Sequence, residues 1–124
     1  SISPSLDWDN NLPQRSLEES FEHTDSLKAF LYFAWSDDLG QALANDQRLL
    51  ETLETKSPSK FRWVGKSFPD ETHASVTLLA HIEALRQLYA GYRLHDDLLV
   101  NGFNFAVKHF EQVSDKVGYS IPVP

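Results

Sequence analysis

Two kinds of apolar pattern alternate along the chain. Lys28 to Trp35 (KAFLYFAW) is a short, nearly continuous apolar and aromatic run. That is the pattern of a strand buried on both faces, as in a parallel sheet. Ser36-Asp37-Asp38 ends it. Leu39 to Thr55 then carries Leu39, Leu43, Leu49, Leu50 and Leu53 near helical spacing, with polar residues between them, which predicts an amphipathic helix. Ser57-Pro58-Ser59 stops that helix. Phe61 to Phe68 (FRWVGKSF) predicts a second strand, with Phe61 and Trp63 on one face.

Pro69 to His73 reads as a loop. Ser75 to Tyr92, with Val76, Leu79, Ile82, Leu85, Leu88 and Tyr89, predicts a second helix. Leu98 to Val117 predicts a third, ended by Gly118 and followed by an extended tail, Ile121 to Pro124. Ser1 to Ser26 reads as irregular, because Ser3-Pro4-Ser5, Asp9-Asn10-Asn11 and Leu12-Pro13 are turn chemistry. Ser16-Leu17-Glu18-Glu19 opens one or two helical turns at most. Strand, helix, strand, helix at this spacing implies right-handed crossovers between parallel strands. Two strands are few for a doubly wound sheet, so the chain reads as the end of a sheet whose beginning is missing. A modest boundary near Arg93 to Asp97 separates an α/β part, 1–92, from a helical extension, 93–124.

Composition narrows the classes. Over 124 residues, 41% are hydrophobic and 12% aromatic, with 11 Lys and Arg against 18 Asp and Glu, a net charge of −7. That is globular composition. The acidic balance argues against nucleic acid or an anionic membrane as partner. No run approaches the roughly 18 apolar residues of a membrane span. With Cys 0, disulfides, thiolate metal sites and a cysteine nucleophile are excluded. With Met 0, the expectation is a chain that starts after processing or truncation. The compartment stays open.

In open α/β sheets, ligands and catalytic groups gather at the carboxyl ends of strands. Asp37 and Asp38 follow the first strand and His73 follows the second, one strand–helix–strand unit later. Neighbouring parallel strands would bring the two loops side by side. A carboxylate beside an imidazole fixes its tautomer and stabilises the imidazolium, as the base of a nucleophile requires. Acid before histidine is also the chain order of α/β-hydrolases. Asp38 and Asp37 have a competing use as caps of the helix that follows. Ser75 reads as the cap of its own helix. His23, His81, His95 and His109 read as solvated or packed, and no metal spacing stands out. The aromatic set of the strands reads as core, with Trp35 alone a candidate to flank a pocket beside the acid loop.

Three stretches carry a family resemblance: Ile2-Ser3-Pro4-Ser5-Leu6-Asp7-Trp8-Asp9, Leu31-Tyr32-Phe33-Ala34, and Phe68-Pro69-Asp70-Glu71-Thr72-His73-Ala74-Ser75-Val76. They resemble the C-terminal part of the putative-esterase group of α/β-hydrolases, relatives of siderophore (enterobactin-type) esterases and esterase D-like enzymes. The tail from His109-Phe110-Glu111 to Gly118-Tyr119 resembles an extension that some members carry. The resemblance implies a C-terminal fragment of an α/β-hydrolase fold. His73 would be the catalytic base and Asp38, with Asp37 as the alternative, the triad acid. The substrate would be a small-molecule carboxylic ester, siderophore-like or simple, and no cofactor would be needed.

Two departures stand out. Ala74 stands where many relatives have Gly. There is also no Gly-x-Ser-x-Gly elbow: Gly65-Lys66-Ser67 and Gly118-Tyr119-Ser120 begin it, but Pro69 and Pro122 stand where the second Gly belongs. In the family, the serine lies upstream of the matching segment. The isolated chain is therefore expected to be inactive. The competing expectation is a non-catalytic module on the same scaffold, self-associating or docking through the helix Leu98 to Val117.

Overall fold

The apolar run KAFLYFAW does form a strand buried on both faces. In a computed structural model, which describes residues 1–93, 95 and 100–123, β1 spans Ser26–Trp35. Its centre is closed to solvent, with Tyr32 5%, Phe33 0% and Ala34 0% exposed. β2, Ser59–Ser67, pairs with it in parallel, with Phe33 opposite Gly65 and Trp35 opposite Ser67. On the other edge of β1, Ile2 forms a parallel bridge to Ala34. The Ala34 amide donates to Ser1 O at 3.0 Å, and its carbonyl accepts from Ser3 N at 2.7 Å. β1 is therefore the middle lane between β2 and the first three residues.

Among the described residues the helices are α1 Trp8–Glu22, α2 Gly40–Lys56, α3 Val76–Leu88 and α4 Phe103–Val117. α2 provides the crossover between the parallel strands, and the mixed α/β class follows. Leu49 and Leu53 of α2 close a core with Leu6, Phe21 and Phe33. Gly65 lies where α2 approaches the sheet, since a Cβ there would meet Leu50 Cδ2 at 2.7 Å.

α1 corrects the reading of the opening segment as irregular. The turn chemistry is real: Asp9, Asn10 and Asn11 hold φ of 45, 57 and 60°, a left-handed conformation that Asn and Asp tolerate best among side-chain-bearing residues. Pro13 sits within the first turns that follow, and the helix continues regardless. Its inner stripe runs through Gln14, Leu17 and Phe21, with Gln14 3% and Phe21 7% exposed. A glutamine in a core-facing position hid the helical period.

The two compact units of the chain are Ser1–Glu83 and Ala84–Pro124. Within the second, Phe110, Val113 and Ile121 form a small cluster backed by Val117 and Val123. Gly118 ends α4 in the left-handed region, as expected, with its N–H on Ser114 O at 2.9 Å. The expected start of that helix at Leu98 lies outside the described residues, as do Leu94, Asp96 and Asp97 of the expected boundary and Pro124 of the tail. The second predicted helix ends at Leu88 rather than Tyr92. Much of its expected inner stripe faces water: Leu79 is 43% and Ile82 41% exposed, while Val76 and Ala80 are buried. No helix among the described residues is long and apolar enough to cross a membrane.

Candidate active site

The loop after β2 is built by its own side chains. Thr72 N donates to Ser75 Oγ at 2.9 Å, and Ser75 N donates to Thr72 Oγ1 at 3.3 Å. Val76 N reaches Thr72 O at 3.0 Å. This is a reciprocal arrangement of the capping-box kind, in which Thr72 and Ser75 answer each other ahead of α3. Ser75, read from the sequence as the cap, stands directly before Val76, the first residue of α3, and is paired there with Thr72. His73 follows Thr72 directly, so its backbone is held at the helix entrance while its side chain stays exposed.

The loop after β1 is held differently. Asp38 Oδ2 accepts from Ser36 N at 3.2 Å and from Ser36 Oγ at 3.4 Å. α2 begins with Leu39 at its N-cap and no side-chain capping bond. The carboxylate of Asp38 thus shapes its own loop, and the helix-capping use does not occur. The two loops adjoin. Phe68 N donates to Trp35 O at 2.9 Å, and Asp37 N donates to Glu71 O at 3.1 Å.

Asp38 and His73 line one cleft of about 190 Å³, together with the Ser3–Asp7 segment and Gln41, Asn45 and Asp46 of α2. Among the described residues no hydrogen bond joins Asp38 to His73. Asp37 is exposed and does not line the cleft. Trp35, a candidate to flank a pocket, instead stacks on Phe33 at 5.2 Å and packs against the core. His81 and His109 turn ring nitrogens to Thr77 O and Gly91 O, both at 2.6 Å. Among the described residues no group of three or more His, Asp or Glu is disposed to hold a metal ion.

Ser3 occupies the left-handed region at φ 39°, a conformation that costs a non-glycine residue about 1 kcal/mol or more. Its Oγ is buried without a hydrogen-bond partner among the described residues. Asp46 is the site residue that sequence reasoning passed over. It is 4% exposed, and its Oδ2 has no hydrogen-bond partner among the described residues. Burial, and then the nearby Asp38 carboxylate, push its carboxyl from 3.8 up to about 6. A signal existed: Ala42, Asp46, Leu49 and Leu53 share one helical stripe, so a carboxylate stands in line with the core-facing leucines.

No family model matches the chain, and no curated protein matches it. Among solved structures, an IroE-like serine hydrolase from Shewanella oneidensis is similar over 98% of this chain, with a TM-score of 0.84 and 17% sequence identity. The chain spans 40% of the length of that hydrolase. The likeness establishes the fold: a mixed α/β scaffold similar to part of a serine hydrolase.

Proposed function

We propose that this chain is the C-terminal, acid-and-base portion of a serine hydrolase acting on carboxylic esters. The observation that carries the reading is that His73 and Asp38, from adjoining loops at the carboxyl ends of two parallel strands, line one cleft. The nucleophilic serine would come from a segment outside this chain, since no Gly-x-Ser-x-Gly stands within it. The serine attacks the ester carbonyl as His73 takes its proton. His73 then returns a proton to the leaving alcohol, and water releases the acyl group by the same route. Asp38 orients the imidazole and stabilises its charged form. Its cleft position favours it over Asp37. The family resemblance extends the reading to siderophore-like or simple acyl esters.

The test is His73→Ala in the longer polypeptide that carries the serine. Turnover of a p-nitrophenyl ester is expected to fall about 10⁴-fold. Activity retained within tenfold would remove His73 from the mechanism. The isolated 124-residue chain is expected to resist fluorophosphonate labelling, and a labelled serine within it would overturn the division of the triad.

Leu78, Leu79 and Ile82, respectively 69%, 43% and 41% exposed, favour a second reading, a non-catalytic self-associating module. Sedimentation velocity across a concentration series tests it. A concentration-independent monomer sinks it.

A further inference from the structure

The loop that carries Asp38 is tied at each of its three residues. Ser36 follows β1 directly and is 3% exposed. Its N–H and its Oγ converge on one oxygen, Asp38 Oδ2, at 3.2 and 3.4 Å. Among the described residues no hydrogen bond reaches the other oxygen, Oδ1. The residue between them ties the loop to its neighbour: Asp37 N donates to Glu71 O at 3.1 Å, two residues before His73. The obvious competing use of the carboxylate is forgone. α2 starts with Leu39 at its N-cap and no side-chain capping bond, although leucine is among the poorest residues there and aspartate among the best.

We infer that Ser36 is the positioning residue of the acid, holding Asp38 Oδ2 so that Oδ1 is presented to the imidazole of His73. The inference rests on the reading of Asp38 and His73 as acid and base, and adds the residue that fixes their geometry. A carboxylate turns broadly about its terminal torsion, and each misorientation of a reacting group costs rate. Two donors on one oxygen remove that freedom. Ser36 does not itself line the cleft, so it acts through Asp38 and not on the substrate. The Asp38–His73 bond is not made among the described residues, and catalytic hydrogen bonds commonly tighten only once substrate is bound. The Ser36 N–H is fixed by the end of β1, and the hydroxyl is the donor that a substitution can remove.

The test uses the longer polypeptide that carries the serine, with p-nitrophenyl acetate as the probe. Ser36→Ala is expected to lower kcat at least about fivefold, with KM unchanged within about twofold. In an Asp38→Ala background the hydroxyl has nothing left to hold. There the same substitution is expected to change kcat by less than about twofold. A hydroxyl that merely supports the loop would lower kcat equally in both backgrounds. Ser36→Cys keeps nearly the same volume with only a weak donor. It is expected to match Ser36→Ala, and it takes the place of that variant should circular dichroism show that Ser36→Ala does not fold.

A smaller loss of kcat in the folded variant, a loss carried mainly by KM, or a loss above about twofold that persists beside Asp38→Ala would each overturn the inference. The two readings fail separately. An esterase whose activity survives His73→Ala removes the base, and the role of Ser36 with it. A His73-dependent esterase that is indifferent to Ser36→Ala removes only the positioning role.

Discussion

Two polar regions sit on the same helix, and their acids are treated in opposite ways. On the C-terminal half of α2, Thr52 meets α1. Gln14 Nε2 donates to Thr52 Oγ1 at 2.7 Å and to Glu18 Oε1 at 2.8 Å, and Thr52 Oγ1 donates to Glu18 Oε1 at 3.2 Å. Arg48 adds an ion pair to Glu18 at 3.7 Å. These bonds, led by that from Gln14, hold the Glu18 carboxyl below its usual value. On the N-terminal half, Asp46 is as deeply buried as Thr52, but its Oδ2 has no partner among the described residues and its carboxyl is pushed up. One acid is tied into a seam and the other is left facing a cleft. Buried polar groups that serve packing alone are normally satisfied. The seam keeps an unpaired buried oxygen of its own, Gln14 Oε1, but its acid is paired; at Asp46 it is the carboxylate itself that is left unpaired, a cost of the kind met at functional sites.

The comparison can be broken at four points. The largest effect is expected from the apolar packing both regions share. Leu53 is 0% exposed, and Leu53→Ala should cost about 3 kcal/mol in urea denaturation through lost burial and a residual cavity. A cost below about 1 kcal/mol would mean that α2 is not seated on the core as described. Next is Gln14→Ala, which strips Thr52 and Glu18 of their shared donor at a residue 3% exposed. A loss of about 2 kcal/mol is expected. It should also let the Glu18 carboxyl rise, readable by carboxyl NMR. Glu18 with its donor contributes stability that is present above its unfolded value and lost as pH falls through the depressed folded one.

Asp46 has the opposite sign. Its folded value is raised, so the folded state holds the proton more tightly than the unfolded chain. That contribution is present below 3.8 and lost as pH rises through about 6. Asp46→Asn keeps the group neutral and should flatten that decline, leaving the variant about 1–2 kcal/mol more stable near neutral pH. Equal stability of the two proteins from pH 4 to pH 8 would show that Asp46 is solvated rather than buried. The smallest effect concerns the His73 loop. Thr72→Ala removes the Oγ1 that accepts from Ser75 N and should cost about 1 kcal/mol. Faster hydrogen exchange at Ser75 should accompany it, and unchanged exchange would rule out the reciprocal cap.

Much of the scaffold was legible along the chain. KAFLYFAW has no polar interruption, so only a strand covered on both faces could bury it. Leu49, Leu50 and Leu53 announced the inner stripe of α2, and Gly118 its counterpart's end in α4. The adjacency of the Asp38 and His73 loops followed from one strand–helix–strand unit between parallel neighbours. α1 was not legible, because Asp9-Asn10-Asn11 and Pro13 signal turns and Gln14 occupies an inward position that periodicity assigns to an apolar residue. The exposure of Leu79 and Ile82 was equally hidden, since an amphipathic stripe shows that a face is apolar without showing that anything covers it.

Local chemistry therefore determined what the sequence could determine by itself: the segments that form β1, β2 and α2, and the turn that carries His73 into α3. Such local patterns link residues a few positions apart and depend on little else. The tertiary structure alone decided that Ser3, Asp38, Asp46 and His73 share one cleft, and that Asp46 loses its water there while Glu18 gains a donor. Burial and electrostatic environment are properties of what surrounds a group in space, and the residues that surround Asp46 come from three separate stretches of the chain.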